Sequence, residues 1–261
     1  MSSAAQANCP QCGGTGWTAI AGAAGVQRCD CFNDAQAGRR LERAGIPRRY
    51  RHCALSNFDV GFPGSHKDLE GTHQLCLNYV AAFDRLKYGL LLIGPLGTGK
   101  THLAVGVLRA LMEEHSVTGL FVDYRDLLRD IQDSYNSVSE TSELQVVRPL
   151  LEVDVLLLDE LGARRPSPWV FDTVSHVLNE RYNAVKPTLI TTNYRENDEK
   201  KNRTQDGAPP NRLGDLDGPK VAVPLLSERI GDRLRSRLFE MCKPARTAGP
   251  DYRRVVKASF R

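Results

Sequence analysis

Gly94-Pro95-Leu96-Gly97-Thr98-Gly99-Lys100-Thr101 fits the pattern G-x-x-x-x-G-K-[ST]. Glycines at these spacings let successive backbone N–H groups turn into one concavity. A helix beginning at Gly99 adds the positive end of its dipole. Such a cradle suits phosphate oxygens. Lys100 would reach the β- and γ-phosphates of a nucleotide, and the Thr101 hydroxyl would ligate Mg²⁺. The flanks agree with this reading. Leu90-Leu91-Leu92-Ile93 reads as a buried parallel strand entering the loop, and Leu103, Val107 and Leu111 recur at helical spacing after it. A glycine turn arising by chance lacks that order of strand, loop and helix. The stretch predicts binding of a nucleoside triphosphate such as ATP, with Gly94 to Thr101 as its contacts.

Further apolar runs repeat the pattern. Leu120-Phe121-Val122, Val155-Leu156-Leu157-Leu158 and Thr188-Leu189-Ile190-Thr191 read as strands, with amphipathic helical stretches between them, notably Trp169 to Tyr182. Strands alternating with helices imply βαβ crossovers and an α/β fold, a mostly parallel sheet covered on both faces. Asp159 and Glu160 follow the third run. They therefore stand at the C-terminal edge of a buried strand, where ligands of open α/β sheets sit. Asp159 is placed to hold the Mg²⁺ hydration shell and Glu160 to polarise an attacking water. Thr191-Thr192-Asn193 ends the fourth run in the same way, and a neutral amide there can bond a γ-phosphate or a water. Asparagine after a strand is also an ordinary turn former.

Ser227 to Leu238 reads as a helix with Ser227 as N-cap. Ile230, Leu234 and Leu238 form an inward stripe, and Arg229, Arg233 and Arg237 fall on a separate row. One of these arginines can reach a neighbouring subunit's phosphate; a solvated or DNA-facing basic helix has the same pattern.

The front of the chain is different. Cys9-Pro10-Gln11-Cys12 and Cys29-Asp30-Cys31 form two close pairs, and glycines follow the first. Four thiolates so arranged suit tetrahedral Zn²⁺, although C-x-C is tighter than the usual spacing. Bound zinc would hold together a segment with little apolar content. Cys53, Cys76 and Cys242 are isolated and read as small buried side chains. The domain reading is a cysteine module over 1–38, a basic linker over 39–51 and the α/β domain over 52–261, with 196–220 as a polar, mobile surface loop.

The net charge of +4 over 261 residues conceals an asymmetry. Residues 38–51 hold six arginines against Glu42, and residues 227–261 hold ten Lys/Arg against four acids. Charge alone does not separate an anionic partner, nucleic acid first, from a solvated surface. No apolar run approaches the roughly 20 residues of a membrane span, and the N-terminus lacks the regions of a signal peptide. A cytoplasmic protein with reduced cysteines is expected.

With these residues in order, the chain resembles the DnaC/IstB-like branch of the AAA+ ATPases over roughly residues 45–260. The resemblance rests on Gly94–Thr101, Val155–Glu160, Thr191–Asn193 and the Glu228–Leu238 helix. Ala44-Gly45-Ile46-Pro47-Arg48-Arg49-Tyr50 looks like the family's lead-in, and the cysteine module is similar to zinc-binding modules of helicase loaders. It implies that Asp159 and Glu160 are the Walker B acids, that Asn193 is the sensor, and that Arg229 and Arg233 form the family's Arg-x₃-Arg pair. Arg233 is the better match for a finger acting between subunits. The family's helical insertion falls on Leu127–Asn136, where Arg129, Ser134 and Tyr135 are candidate contacts to single-stranded DNA. The chain departs from the pattern in its longer 196–220 loop and in lacking a recognisable separate lid domain.

The resemblance thus implies a homo-oligomeric ATPase that loads a replicative helicase, docked through the zinc module, and uses ATP, Mg²⁺ and Zn²⁺. The rival within the family is an IstB-type transposase helper on duplex DNA. A nucleotide-switched adaptor without catalysis is the rival from another class.

Overall fold

The computed structural model describes residues 8–20, 22, 25–135, 142–196 and 224–258. Two short antiparallel strands, β1 (Trp17–Ala19) and β2 (Val26–Arg28), lead into α1 (Asp30–Arg43). The α/β body then follows in the order α2 (Lys67–Ala81), β3 (Gly89–Ile93), α3 (Lys100–Glu114), β4 (Gly119–Asp123), α4 (Tyr124–Asp133) and α5 (Glu143–Glu152). It continues with β5 (Val155–Asp159), α6 (Pro168–Asn183), β6 (Thr188–Thr192), α7 (Leu226–Met241), β7 (Cys242–Arg246) and α8 (Tyr252–Ala258).

Strands β3 to β7 form one parallel sheet in the order β4-β5-β6-β3-β7. Its central strands, β5, β6 and β3, are buried at every position because both faces are covered. Alternate residues serve opposite layers. Leu90, Leu92, Val155 and Leu157 pack with α2 and α3, whereas Leu91, Ile93, Leu156 and Leu158 pack with α4, α6 and α7. The sandwiched parallel sheet expected from the apolar runs is the observed fold.

Three features differ from expectation. Strand β7 lies at the sheet edge and pairs only with β3. Its sequence Cys-Lys-Pro-Ala-Arg carries Pro244, which an edge strand tolerates and a central one does not. Helix α1 begins at Asp30, inside the cysteine cluster, and runs across residue 38, where the module was expected to end. Its continuation bonds the opposite edge strand, β4, since the Phe121 N–H donates to the Ala44 carbonyl at 2.7 Å. Helix α7 is not the regular rod read from its spacing. The cap is Leu225 rather than Ser227, its N–H accepted by the Glu228 carboxylate at 3.2 Å, and the helix is broken at Gly231. Residues 197–220 of the expected mobile loop lie outside the described residues, as does Asn136.

Candidate nucleotide-binding site

Every residue of β3 is buried, and the chain leaves the core at Gly94. A Cβ at Gly94 would stand 2.2 Å from the Thr247 carbonyl oxygen; the loop presses on the segment after β7. Gly97 and Gly99 take φ +77° and +87°, and Gly99 is the N-cap of α3, so the loop ends on a helix N-terminus as the pattern requires. The Thr98 hydroxyl ties the turn to Pro95 O at 2.9 Å and to Thr247 Oγ1 at 2.7 Å. Lys100 folds back on its own loop, with Nζ donating to Pro95 O at 2.6 Å. Burial lowers the Lys100 ammonium to about 8, against the opposing pull of Asp159 and Glu160. Its one acceptor among the described residues is a neutral carbonyl that anionic oxygens can replace.

Behind the loop, the Thr101 hydroxyl donates to Asp159 Oδ1 at 3.0 Å, and Thr191 Oγ1 donates to the same oxygen at 2.6 Å. Asp159 is only 2 % exposed and has no cationic partner among the described residues. Burial raises its pKa, while the two hydroxyl bonds oppose that rise. A buried carboxylate beside a hydroxyl and facing the loop is a donor set that fits Mg²⁺.

Glu160 takes φ +57°, a conformation rare outside glycine and characteristic of strained functional positions. Its N–H is held by Thr191 Oγ1 at 2.9 Å, and its carboxylate is ion-paired with Arg125. Both contacts escaped the sequence reading. Arg125 lies in the first turn of α4, so only the parallel register that sets Asp123 beside Asp159 brings it to Glu160. Thr191 faces inward between the two acids. Asn193 follows the strand end, half-buried, and its side chain has no hydrogen-bond partner among the described residues.

The two candidate arginines of α7, Arg229 and Arg233, diverge. Arg229 is turned inward on its own subunit: Nε donates to Gly162 O at 2.8 Å, Nη2 to Ala163 O at 3.2 Å, and the guanidinium lies over Tyr194. Those carbonyls occupy the donors expected to meet a nucleotide. Arg233 is exposed. A third arginine, Arg253, was missed by the sequence reading, although the basic excess of the C-terminal segment was visible. Tyr252 N–H bonds Gly97 O at 3.1 Å, which seats α8 on the phosphate loop. Asp251 then holds Arg253 through both carboxylate oxygens, at 3.0 and 3.1 Å, and keeps the guanidinium near enough to lower Lys100 further.

The candidate DNA contacts are scattered. Arg129 is paired with Asp126, and Ser134 Oγ donates to Ile131 O at 2.7 Å. Tyr135 remains 47 % exposed, with its ring edge-on to Trp169, itself 39 % exposed. Arg164 and Arg165 are exposed just ahead of Trp169. This aromatic pair is assembled from residues 34 apart in sequence, which is why Trp169 read only as a helix start.

At the front, Cys9 Sγ lies 3.7 Å from Cys29 Sγ and Cys12 Sγ 3.5 Å from Cys31 Sγ. Sulfurs sharing one tetrahedral zinc at ~2.3 Å bonds stand about 3.8 Å apart, so the four cysteines fit the ion. Burial opposes the Cys12 thiolate, yet the Gly16 N–H and the other cysteines bring it down to about 6. The Arg28 guanidinium lies over the Trp17 and Phe32 rings, at 3.8 and 4.1 Å from their centroids. A second cluster, His52, Cys53 and His102, has a structural use. His102 Nε2 lies 3.0 Å from Ala54 O and 2.8 Å from Asn57 Oδ1, which fastens the segment before α2 to α3.

Strand, glycine loop and helix, with a buried acid at the end of β5, one strand beyond β6 in the same parallel sheet, define a P-loop nucleotide-binding protein. The chain belongs to the IstB-like ATP binding protein family, whose model matches residues 51–206. It is 28 % identical to the replicative helicase loader DnaC of Escherichia coli K12 over 155 residues, 59 % of this chain and 61 % of that protein. It therefore spans about three fifths of the length of the curated relatives it matches. The crystal structure of the DnaC helicase loader is similar at 26 % identity, with TM-score 0.60, 77 % of this chain and all of that one covered. DnaI shares the fold at 21 % identity, with TM-score 0.56, over 78 % of this chain and 95 % of that one. No helix among the described residues is long and apolar enough to cross a membrane.

Proposed function

We propose that the protein is an ATPase that loads a replicative helicase onto single-stranded DNA. The observation that carries the catalytic part is the convergence of Lys100, Thr101, Asp159 and Glu160 at one end of the sheet. ATP would enter with its phosphates on the Gly94–Thr101 amides, and Lys100 would exchange Pro95 O for phosphate oxygens. Thr101 and Asp159 are the residues that would hold Mg²⁺, which supplies charge neutralisation when bound. Glu160 would orient the attacking water once Arg125 releases its carboxylate. Asn193 would contact the γ-phosphate, Arg253 would add positive charge from the same subunit, and Arg233 would be supplied by a neighbour.

Single-stranded DNA would cross the Tyr135–Trp169 pair, whose exposed faces can stack bases while Arg164 and Arg165 meet phosphates. Arg129 and Ser134, already engaged within α4, would contribute less. The cysteine module, holding Zn²⁺, would dock the helicase. The similarity to DnaC and the fit of the four cysteines support this assignment. The family match is also compatible with a second reading, an IstB-type helper of a transposase on duplex DNA.

One experiment separates them. ATPase turnover of the full chain is measured alone, with single-stranded DNA, with duplex DNA and with a hexameric helicase. The loader reading expects stimulation by single strands and by the helicase. Stimulation by duplex DNA alone would overturn it.

A further inference from the structure

Helix α7 contains a break between its two candidate arginines. Gly231 takes φ +73° and ψ 157° within it, a region of backbone space held almost only by glycine. On the N-terminal side, Arg229 is fastened to Gly162 O and Ala163 O. These carbonyls lie two and three residues beyond Glu160, so the first turn of α7 is tied to the loop that leaves the acidic pair. On the C-terminal side, Arg233 is exposed and has no hydrogen-bond or ion-pair partner among the described residues.

Each piece is seated independently. Ile230 is buried before the break, and Leu234 and Leu238 are buried after it. The joint between them is one residue. It is not crowded either, because among the described residues a Cβ at Gly231 would meet only the Phe171 ring, at an ordinary 3.8 Å. The backbone angle is thus what excludes a side chain there. An alanine would fit the space but favour regular helix, and regular helix would point Arg233 elsewhere.

We infer that Gly231 is a positioning residue, the hinge through which the loop after Glu160 sets the direction of Arg233. This rests on the reading of Arg233 as an arginine supplied to a neighbouring subunit. A change at Glu160 pulls on Gly162 and Ala163, these carry Arg229 and the first turn, and the second piece pivots about Gly231. The state of one nucleotide site would in this way reach the next.

The test uses mixed assemblies of the full chain. Gly231→Ala alone is expected to lose at least about tenfold in ATP turnover while its ATP affinity is unchanged, a fraction of the effect of an absent arginine finger. Lys100→Ala subunits cannot use ATP but still present Arg233. Mixing them with Gly231→Ala subunits is expected to restore turnover to the level reached by an Arg233→Ala and Lys100→Ala mixture. Restoration shows that Gly231→Ala subunits fold, bind ATP and fail only as donors. Wild-type turnover in Gly231→Ala overturns the hinge, and so does a silent mixture when the Arg233→Ala mixture recovers. If the Arg233→Ala mixture is itself silent, the intersubunit reading of Arg233 fails and the hinge falls with it. Should Gly231→Ala not fold, Arg229→Gln repeats the test with the glycine intact. It is expected to show the same donor-only defect, and wild-type turnover in it overturns the link to the acidic loop.

Discussion

The two ends of the parallel sheet both bury charged groups and treat them in opposite ways. At the end where the strands begin, Arg181 is fully buried, and each of its five N–H donors has an acceptor. Nε meets Thr188 Oγ1, Nη1 meets Leu150 O and Val153 O, and Nη2 meets Asp154 O and Pro187 O, all within 3.0 Å. Nearby, Asp154 accepts from both the N–H and the hydroxyl of Thr118, at 2.8 and 2.7 Å. Burial brings the Arg181 guanidinium down only to about 10, so it stays charged at neutral pH.

At the end where the strands finish, among the described residues, Lys100 has one carbonyl, Asp159 has two hydroxyls and no cation, and Glu160 holds an uncommon backbone angle. A saturated cluster has nothing left to offer a ligand and acts as a staple. A cluster with spare acceptors and donors is poised for one. The contrast assigns stability to the first end and chemistry to the second.

The contrast can be broken at either end. Glu160→Gln is expected to reduce ATP turnover at least about a hundredfold, the range for loss of a general base, with ATP binding retained. Retained turnover would put the chemistry elsewhere. Arg181→Met, which leaves five acceptors without their donor, two of them in fully buried bonds, is expected to destabilise the fold by at least about 3 kcal/mol in chemical denaturation. ATP affinity of the folded fraction should not move, and a change in affinity without loss of stability would invert the assignment. Trp169→Ala should weaken single-stranded DNA binding by about 1–3 kcal/mol and leave basal turnover as it was, measured by fluorescence anisotropy and a phosphate assay. The smallest effect is with pH. Phosphates require the ammonium form of Lys100, whose value near 8 in the free protein lies below that of an ordinary lysine. Apparent ATP affinity should therefore be flat below pH 8 and fall by up to about tenfold per unit above it. A flat profile to pH 9.5 would mean that Lys100 is not the limiting charge.

Much of this architecture was readable in the chain. The runs Leu90–Ile93 and Val155–Leu158 are continuously apolar because they are buried on both faces, and the glycine spacing marks the loop. Asp159 was placed by its position after such a run. What escaped were features set by register and by backbone angle. Arg125 meets Glu160 across 35 residues, Thr191 looks like part of a strand, and β7 is too polar to announce itself at a sheet edge. Gly231 sits inside an apolar spacing that reads as unbroken helix because Ile230, Leu234 and Leu238 are buried on both sides of the break. Arg253 needed α8 to be seated on Gly97 before its charge could be located.

The central claim is that this nucleotide edge is incomplete within one subunit. It is tested most directly by ATP turnover per subunit as protein concentration is raised, with single-stranded DNA present. The account predicts a rate that climbs with concentration and saturates for the wild type, while Arg233→Ala stays low throughout. A per-subunit rate independent of concentration and equal in the two proteins would contradict it.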